Sequence, residues 1–437
     1  MMINNNSIHD PEGHITYKDG RPIRVLSDSY MPSYVHLMES GLYNRLIGNG
    51  YMVSHRELDY GTLQPMLIPF ITYSNEWSFN QLKDGALLTL TIQQLAMEYG
   101  MSLKDASTNN IQFIGSKPIF IDTSSFEIYK EGQPWQAYRQ FCEEFLIPLS
   151  LASYVSLECL KWRGVSLKLA SKLIPKWHFM SGLGLHIYLH SLASKKRTLP
   201  KRTYISKVGL QGIIMNLYNT IDKLPTPKEE TLWSNYYDKT INYDLVDSET
   251  KRVFVKDILT ILSPKKVLDL GCNRGLYTQI IANESDYTLA LDSDYQSIDS
   301  LYRRYYGNVL PLVSDLFEPS PDSGWMNNER ASLIKRLVHF KFDIVFALAL
   351  IHHLCFKGSI PLEQIALFFN QLGKWLVVEF VPELDSQIIS MTRTLKTHHL
   401  YNKEVFLNSF KEYYEIDKAW ELSSSKRVVY LMRRKDG

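Results

Sequence analysis

From Lys266 onward the chain alternates short apolar runs with longer stretches of mixed character. The runs Lys266 to Leu270, Thr288 to Leu291, Val309 to Val313, Phe342 to Ala347 and Trp375 to Phe380 are separated by segments long enough to form helices. That alternation predicts a parallel sheet flanked by helices. Two further extended stretches, YYEIDKAWEL and RVVYLMRR, close the chain with only SSSK between them. No crossover helix fits in that gap, so the two predict an antiparallel hairpin. Ahead of the first run, ETKRVFVKDILTIL reads as a helix. The expected fold class is α/β, a doubly wound, Rossmann-like sheet of five parallel strands plus a terminal antiparallel hairpin.

The first half is patterned differently and is expected to be an α+β domain. Between the halves lies KLPTPKEE, two prolines and a charge run, which marks the domain junction and places the domains at 1–228 and 229–437. A chain of 437 residues is long enough for both to bury a core. The most apolar stretch, FLIPLSLASYVSLECL from Phe145, contains Pro148 and Glu158 and is too short to span a bilayer, so it reads as a core helix and no membrane span is expected.

Composition narrows the class. Hydrophobic residues make up 45% and charged residues 22%, values of a soluble globular protein. Lys and Arg number 48 against 46 Asp and Glu, which argues against a protein built mainly to coat nucleic acid. The four cysteines, Cys142, Cys159, Cys272 and Cys355, show no spacing for zinc, haem or a redox pair. Together with a start that lacks a basic then apolar run, they lead us to expect a cytoplasmic protein without a bound metal.

The candidate chemistry begins at VLDLGCNRGLYTQ. A dinucleotide fingerprint wants Gly-x-Gly-x-x-Gly and a triphosphate cradle ends in Gly-Lys-Ser/Thr. This turn instead spaces Gly271, Asn273 and Gly275 two apart, with Asp269 two residues before the first glycine. Gly271 and Gly275 would let backbone approach a ligand, and Asn273 tolerates a left-handed conformation. Asp292 ends the second strand, where an acid can accept from ribose hydroxyls, and Asp315 follows the third, where it could accept from an adenine amino group. Asp269 suits the cationic amino group of a methionine moiety. With these residues the second half resembles the class I S-adenosylmethionine-dependent methyltransferases, which implies S-adenosyl-L-methionine as cofactor and methyl transfer as activity. The middle Asn273 departs from that family's usual glycine.

In place of the Asn/Asp-Pro-Pro-aromatic signature of nucleobase and glutamine methyltransferases, the fourth strand is followed by LALIHHL. Methyltransferases of small molecules often show a similar histidine, so His352 and His353 are candidate bases for an oxygen or nitrogen acceptor. Adjacent histidines on a helix cannot both face one site, and sequence does not choose between them. Glu379, at the end of the fifth strand, is a third candidate on the same rim. The insertion DLFEPSPDSGWMNNERASLIKR suits a loop over the site, with Trp325 as pocket wall or loop anchor. WSNYYDKTINY, with Tyr236, Tyr237 and Tyr243, either closes over the cofactor or belongs to a core.

In the first half, LKDASTNNIQFIGSKPIFIDTSSF spaces Asp105, Asn110 and Asp122 as in protein-kinase and aminoglycoside-phosphotransferase catalytic loops, where the Asn and the second Asp hold magnesium. TYSNEWSFNQLKDGALLTLTIQQLAMEYG would supply the hinge and preceding helix. There is no glycine-rich phosphate loop, and Thr123-Ser124 replace the expected glycine, so a degenerate kinase-like scaffold is the favoured form of this resemblance. That arrangement, with NNERASLIKR, LALIHHL and EFVPELDSQ, is similar over nearly the whole chain to a bacterial family of two-domain methyltransferases that includes a nodulation protein. A basic cluster, Lys195, Lys196, Arg197, Lys201, Arg202 and Lys207, reads as a solvated surface hairpin that could meet phosphates. The expected acceptor is a small molecule or a conjugate of peptide, sugar or lipid. The rivals are phosphotransfer or ATP binding by the first half, RNA methylation, and a non-catalytic cofactor-binding module.

Overall fold

The computed structural model describes residues 10–162, 164–180, 182–189, 204–227, 245–304, 307–385, 388–389, 391 and 400–435. Tyr236, Tyr237, Tyr243 and the cluster Lys195 to Arg202 lie outside the described residues. The chain divides into two compact units, Met1–Glu229 with Asp322–Ala331, and Glu230–Pro321 with Ser332–Gly437. The segment carrying Trp325 is thus grouped with the first unit rather than with the strands that flank it in sequence.

The first unit is α+β. Strands β1 (Gly13–Lys18), β2 (Arg21–Leu26), β3 (His55–Asp59) and β4 (Thr62–Pro65) form an antiparallel sheet in the order β1-β2-β4-β3. A 20-residue helix, Phe79–Glu98, follows. Ser78 starts it with a reciprocal cap: Ser78 Oγ accepts from the Gln81 backbone N–H at 3.4 Å, and Gln81 Oε1 accepts from the Ser78 N–H at 2.9 Å. Two small antiparallel pairs come next, β5 (Met101–Leu103) with β8 (Phe126–Ile128) and, nested between them, β6 (Ile111–Ile114) with β7 (Lys117–Phe120). The apolar stretch from Phe145 is fully buried through Leu151, as a core segment must be, but it is not one helix. Its helix ends at Tyr154, and Leu157–Lys161 forms a separate turn started by the Ser156 side chain, which accepts from the Glu158 N–H. Lys207 opens the helix Lys207–Asp222 behind a Ser206 cap, so it is not on a hairpin.

The second unit is a seven-stranded sheet in the order β11-β10-β9-β12-β13-β15-β14, formed by β9 (Lys266–Leu270), β10 (Tyr287–Asp292), β11 (Val309–Val313), β12 (Phe342–Ala347), β13 (Gly373–Phe380), β14 (Tyr414–Glu421) and β15 (Val428–Arg434). The first five are parallel, and β15 enters antiparallel between β13 and β14. This is the layout expected above. β10 and β13 run slightly longer than their apolar runs, and β10 includes Asp292 itself. Every residue of β11 is buried, which is why it reads as an uninterrupted apolar run. The edge strand β14 is largely exposed and carries Glu415, Asp417, Lys418 and Glu421, charges that discourage pairing with another chain. One face of the sheet packs on the helix Leu245–Leu262 through Val255, Ile258 and Leu259 against Val267, Ile344, Val377 and Val429.

Strand order reverses between β9 and β12. The chain runs outward from β9 to β10 and β11, then crosses back to β12 and β13. The carboxyl ends of β9 and β12 therefore open a crevice that no crossover covers, the place where doubly wound sheets hold their ligands.

Candidate active site

The loops at those strand ends line one cavity, and all of its walls belong to the second unit. Asp269, Gly271, Cys272 and Asn273 come from the end of β9. Asp292 and Ser293 follow β10, Ser314 to Phe317 follow β11, and Leu348 to Leu350, His353, Leu354 and Lys357 follow β12. Three carboxylates and an otherwise largely apolar wall thus face a common space.

The turn after β9 is built on left-handed backbone. Gly271 has φ +73°, Asn273 φ +50° and Gly275 φ +80°. The N–H groups of Gly271 and Cys272 donate to the Leu291 carbonyl at 2.8 and 3.1 Å, which ties the turn to β10. The Asn273 N–H donates to Asp292 Oδ2 at 2.8 Å, and the Asp294 N–H to Asp292 Oδ1 at 2.9 Å. The two carboxylate oxygens of Asp292 are thereby held in one orientation, with lone pairs left for a ligand. Gly275 does not line the cavity. A Cβ there would come within 2.4 Å of Leu301 Cδ1, so this glycine admits the helix Tyr295–Arg304 instead of a ligand.

Asp269 is buried and accepts from Thr278 Oγ1 at 2.6 Å. Burial pushes its carboxyl up to about 7; the Thr278 hydroxyl opposes the shift, and the charge of Asp292 adds to it. Asp292 is also pushed up by burial, to about 6, against the pull of its backbone donors. Asp315 is less enclosed and accepts from the Phe317 N–H at 3.0 Å.

On the far wall the two histidines part company. The His353 ring lines the cavity; the His352 ring is fully buried and does not. Their ring centres are 4.1 Å apart at 39°, successive positions on the helix Ile351–Phe356 facing different ways. Burial pushes His353 down to about 4, helped by the cations of Lys357 and Arg427, so its imidazole is neutral near pH 7. Ala349, in the same wall, sits at φ +50°, an uncommon conformation for a residue with a Cβ and one that tends to mark functional sites.

Glu379 is placed elsewhere. It is fully buried, and both of its oxygens accept from Lys251 Nζ, at 2.9 and 2.8 Å. Arg427 NH1 stands 3.7 Å away, and Arg427 Nε donates to Asp385 at 2.8 Å. A carboxylate so engaged is structural: it holds the Leu245–Leu262 helix to the end of β13 and does not reach the cavity as a base. Removing one partner of such a pair costs about 3–5 kcal/mol. Lys251 also lies 5.4 Å from the centre of the Tyr277 ring, itself part of the cavity wall. Neither Lys251 nor Arg427 was marked by sequence reasoning. The only available signal was a lysine within the apolar pattern of the preceding helix. Trp325 is 64% exposed and is not part of the cavity wall.

In the first unit Asp105, Asn110 and Asp122 are brought together, but as a closed cluster. Asp122 Oδ1 lies 2.5 Å from Arg24 NH1 and accepts from Ser124 Oγ at 2.7 Å; Ser125 Oγ donates to its other oxygen. Asn110 Nδ2 donates to Ser125 Oγ at 3.0 Å. Asp105 accepts from the Ser107 N–H and from Gln140 Nε2. Burial of Asp122 is outweighed by the Arg24 guanidinium and the serine donors, which hold its carboxyl below the usual range. Among the described residues no group of three His, Cys, Asp or Glu side chains could hold a metal ion. The donor set does not fit magnesium, because Arg24 and the two serines already satisfy the second aspartate.

No family model matches the chain. It is similar over nearly its whole length to nodulation protein NoeA of Rhizobium meliloti (strain 1021), with 28% identity over 461 residues, 98% of this chain and 96% of that protein. Among solved structures it is similar to the N-methyltransferase NodS from Bradyrhizobium japonicum WM9 in complex with S-adenosyl-L-homocysteine, at 11% identity over 47% of this chain and 100% of that one, with a TM-score of 0.34. It is also similar to magnesium protoporphyrin IX methyltransferase (ChlM) from Synechocystis PCC 6803 with bound S-adenosylmethionine, at 16% identity over 46% of this chain and 88% of that one, with a TM-score of 0.30. Among the described residues no helix is long and apolar enough to cross a membrane.

The raised carboxyls have a consequence for stability. The folded chain keeps protons on Asp269 and Asp292 that the unfolded chain loses near pH 4, so these two groups withdraw stability as pH rises from about 4 through 7. Asp269→Asn is expected to melt at a higher temperature than the parent protein at pH 8, with the difference gone at pH 4. Equal melting curves at pH 8 would contradict the desolvation of this carboxyl.

Proposed function

We propose that this protein is an S-adenosylmethionine-dependent methyltransferase that acts on an oxygen or nitrogen of a small or conjugated acceptor. The observation that carries the reading is the convergence of Asp269, Asp292 and Asp315, from the ends of three adjacent strands, on one cavity around the left-handed Gly271–Asn273 turn. Asp292 would take the ribose hydroxyls, Asp269 would face the methionine ammonium, and Asp315 would accept from the adenine amino group. The bound cofactor supplies an electrophilic methyl group on a sulfonium. This chain's residues then have two tasks: to hold the acceptor in line and to take its proton.

Most of the rate would come from position, since a methyl group on a sulfonium needs an aligned acceptor and little else. Leu316, Phe317, Leu350 and Leu354 exclude water beside the acids. His353 is the one candidate base of the three that lines the cavity. It is neutral there, hence able to accept a proton, though a weak base. A nodulation protein as full-length relative supports a bacterial context and leaves the acceptor open.

A second reading concerns the first unit. The order of long helix, Asp105 loop, β6–β7 hairpin and Asp122 supports a kinase-like scaffold. The closure of Asp122 by Arg24 counts against phosphotransfer, so a supporting or recognition role is the form of that reading we propose.

Calorimetry tests the cofactor. S-adenosylmethionine is expected to bind at pH 8 and to bind at least about tenfold more weakly in Asp292→Ala, the loss of a charge-assisted pair of hydrogen bonds. Because the cationic ammonium requires the carboxylate form of Asp269, affinity should fall as pH drops through 7 and 6, approaching about tenfold per pH unit for each carboxylate engaged. Affinity that is indifferent both to Asp292→Ala and to pH would defeat the assignment. For the base, labelled cofactor with fractionated cell extract supplies the assay. His353→Ala should lower turnover by about 100-fold while leaving cofactor affinity within about threefold. Unchanged turnover would remove His353 from the mechanism.

A further inference from the structure

The charge of this chain is unevenly placed. Between Glu158 and Asp222 the sequence carries eleven of its 48 lysines and arginines and none of its 46 acidic residues. Part of that stretch, well apart in sequence from every residue of the cavity, folds into three short elements of the first unit: the helix Leu167–Leu173, the turn Lys176–Met180 and the helical segment Gly184–Leu189. The helix and the turn both pack on the third element, so the three present a common surface.

Their inner sides are ordinary core: Leu167, Ala170, Ile174, Leu183 and Ile187 are buried. Their outer sides are not an ordinary solvated face. Trp177 is 71% exposed, Met180 94% and Leu189 53%, with Leu169 and Leu173 also exposed. Exposed Lys168, Lys172 and Lys176 are interleaved with them. The His178 ring stacks on Tyr154 at 3.7 Å between centres, which anchors the turn that carries Trp177.

We propose that this surface docks on an anionic phospholipid bilayer. Lysines interleaved with outward Trp, Met and Leu match both layers of such a surface, phosphate above and hydrocarbon below, and Trp favours the boundary between them. A second copy of the same patch is a poor occupant, since a two-fold contact would set lysines against lysines with no acid to answer them. RNA would satisfy the lysines but leave Met180, Leu173 and Leu189 nothing to bury against, and among the described residues of these three elements Trp177 and Tyr188 are the exposed aromatic rings, too few for a stacking row. The inference is independent of the methyltransferase reading.

The test is co-sedimentation of the full chain with vesicles of phosphatidylcholine alone and of phosphatidylcholine with about a third phosphatidylserine. Partition onto the anionic vesicles should exceed that onto neutral ones at least about tenfold and fall steeply with added salt. The triple variant Lys168→Gln, Lys172→Gln, Lys176→Gln should abolish that preference. Trp177→Ser with Met180→Ser should weaken partition about tenfold while leaving the salt dependence in place. All five side chains are exposed, so melting curves should match the parent protein and separate a lost surface from a lost fold. The proposal is overturned by equal partition onto both vesicles or by none. Salt-sensitive retention of RNA without vesicle binding would also overturn it, as would a dimer that Trp177→Ser with Met180→Ser dissolves in the absence of vesicle binding.

Discussion

Much of this molecule turns on the cost of holding carboxylates where parallel strands end. Most side chains along β9 and β10 are buried, and Asp269 and Asp292 share that environment at the lip of the sheet. Asp269 receives a hydroxyl from Thr278 and the field of a second acid, Asp292. Both carboxyls are consequently pushed up, to about 7 and about 6. A carboxylate in such a place is poorly compensated until a cationic or hydroxyl-bearing ligand arrives, and that debt is what a binding site can convert into affinity and selectivity.

The rest of the chain shows how the same cost is met when no ligand is wanted. Asp122 in the first unit sits against Arg24, Ser124 and Ser125, and its carboxyl is held low. Glu379 has its two oxygens on Lys251. These acids have partners within the fold, and they fix elements: β2 to the loop after β7, and the Leu245–Leu262 helix to the end of β13. The raised carboxyls of Asp269 and Asp292 stand against the lowered one of Asp122, and the difference follows the cation that Asp122 has beside it. Residue type alone marked all four as candidates; their partners divide them.

That division explains how much could be read in advance. The five parallel strands were legible because strands buried on both faces appear as bare apolar runs, and the hairpin because four residues cannot hold a crossover. The cavity acids were legible because each lies within two residues of the end of its strand, so position along the chain is position in the site. What escaped depended on distant pairing. Lys251 and Glu379 meet across 128 positions, and neither residue announces the other. Gly275 looked like an aid to ligand approach until Leu301, 26 positions on, was found to occupy the space beside it. His352 and His353 differ only in which way a helix turns them, which a linear reading cannot settle. The kinase-like spacing of Asp105, Asn110 and Asp122 misled, because the cation that closes Asp122, Arg24, lay far outside the motif.

The most direct trial of the account is a crystal structure of the protein with S-adenosylhomocysteine bound. The ribose hydroxyls are expected on the Asp292 carboxylate, the amino group of the homocysteine moiety toward Asp269, and the adenine beside Asp315 and Phe317. A ligand seated elsewhere, or one in this cavity with Asp292 turned away from the sugar, would contradict it.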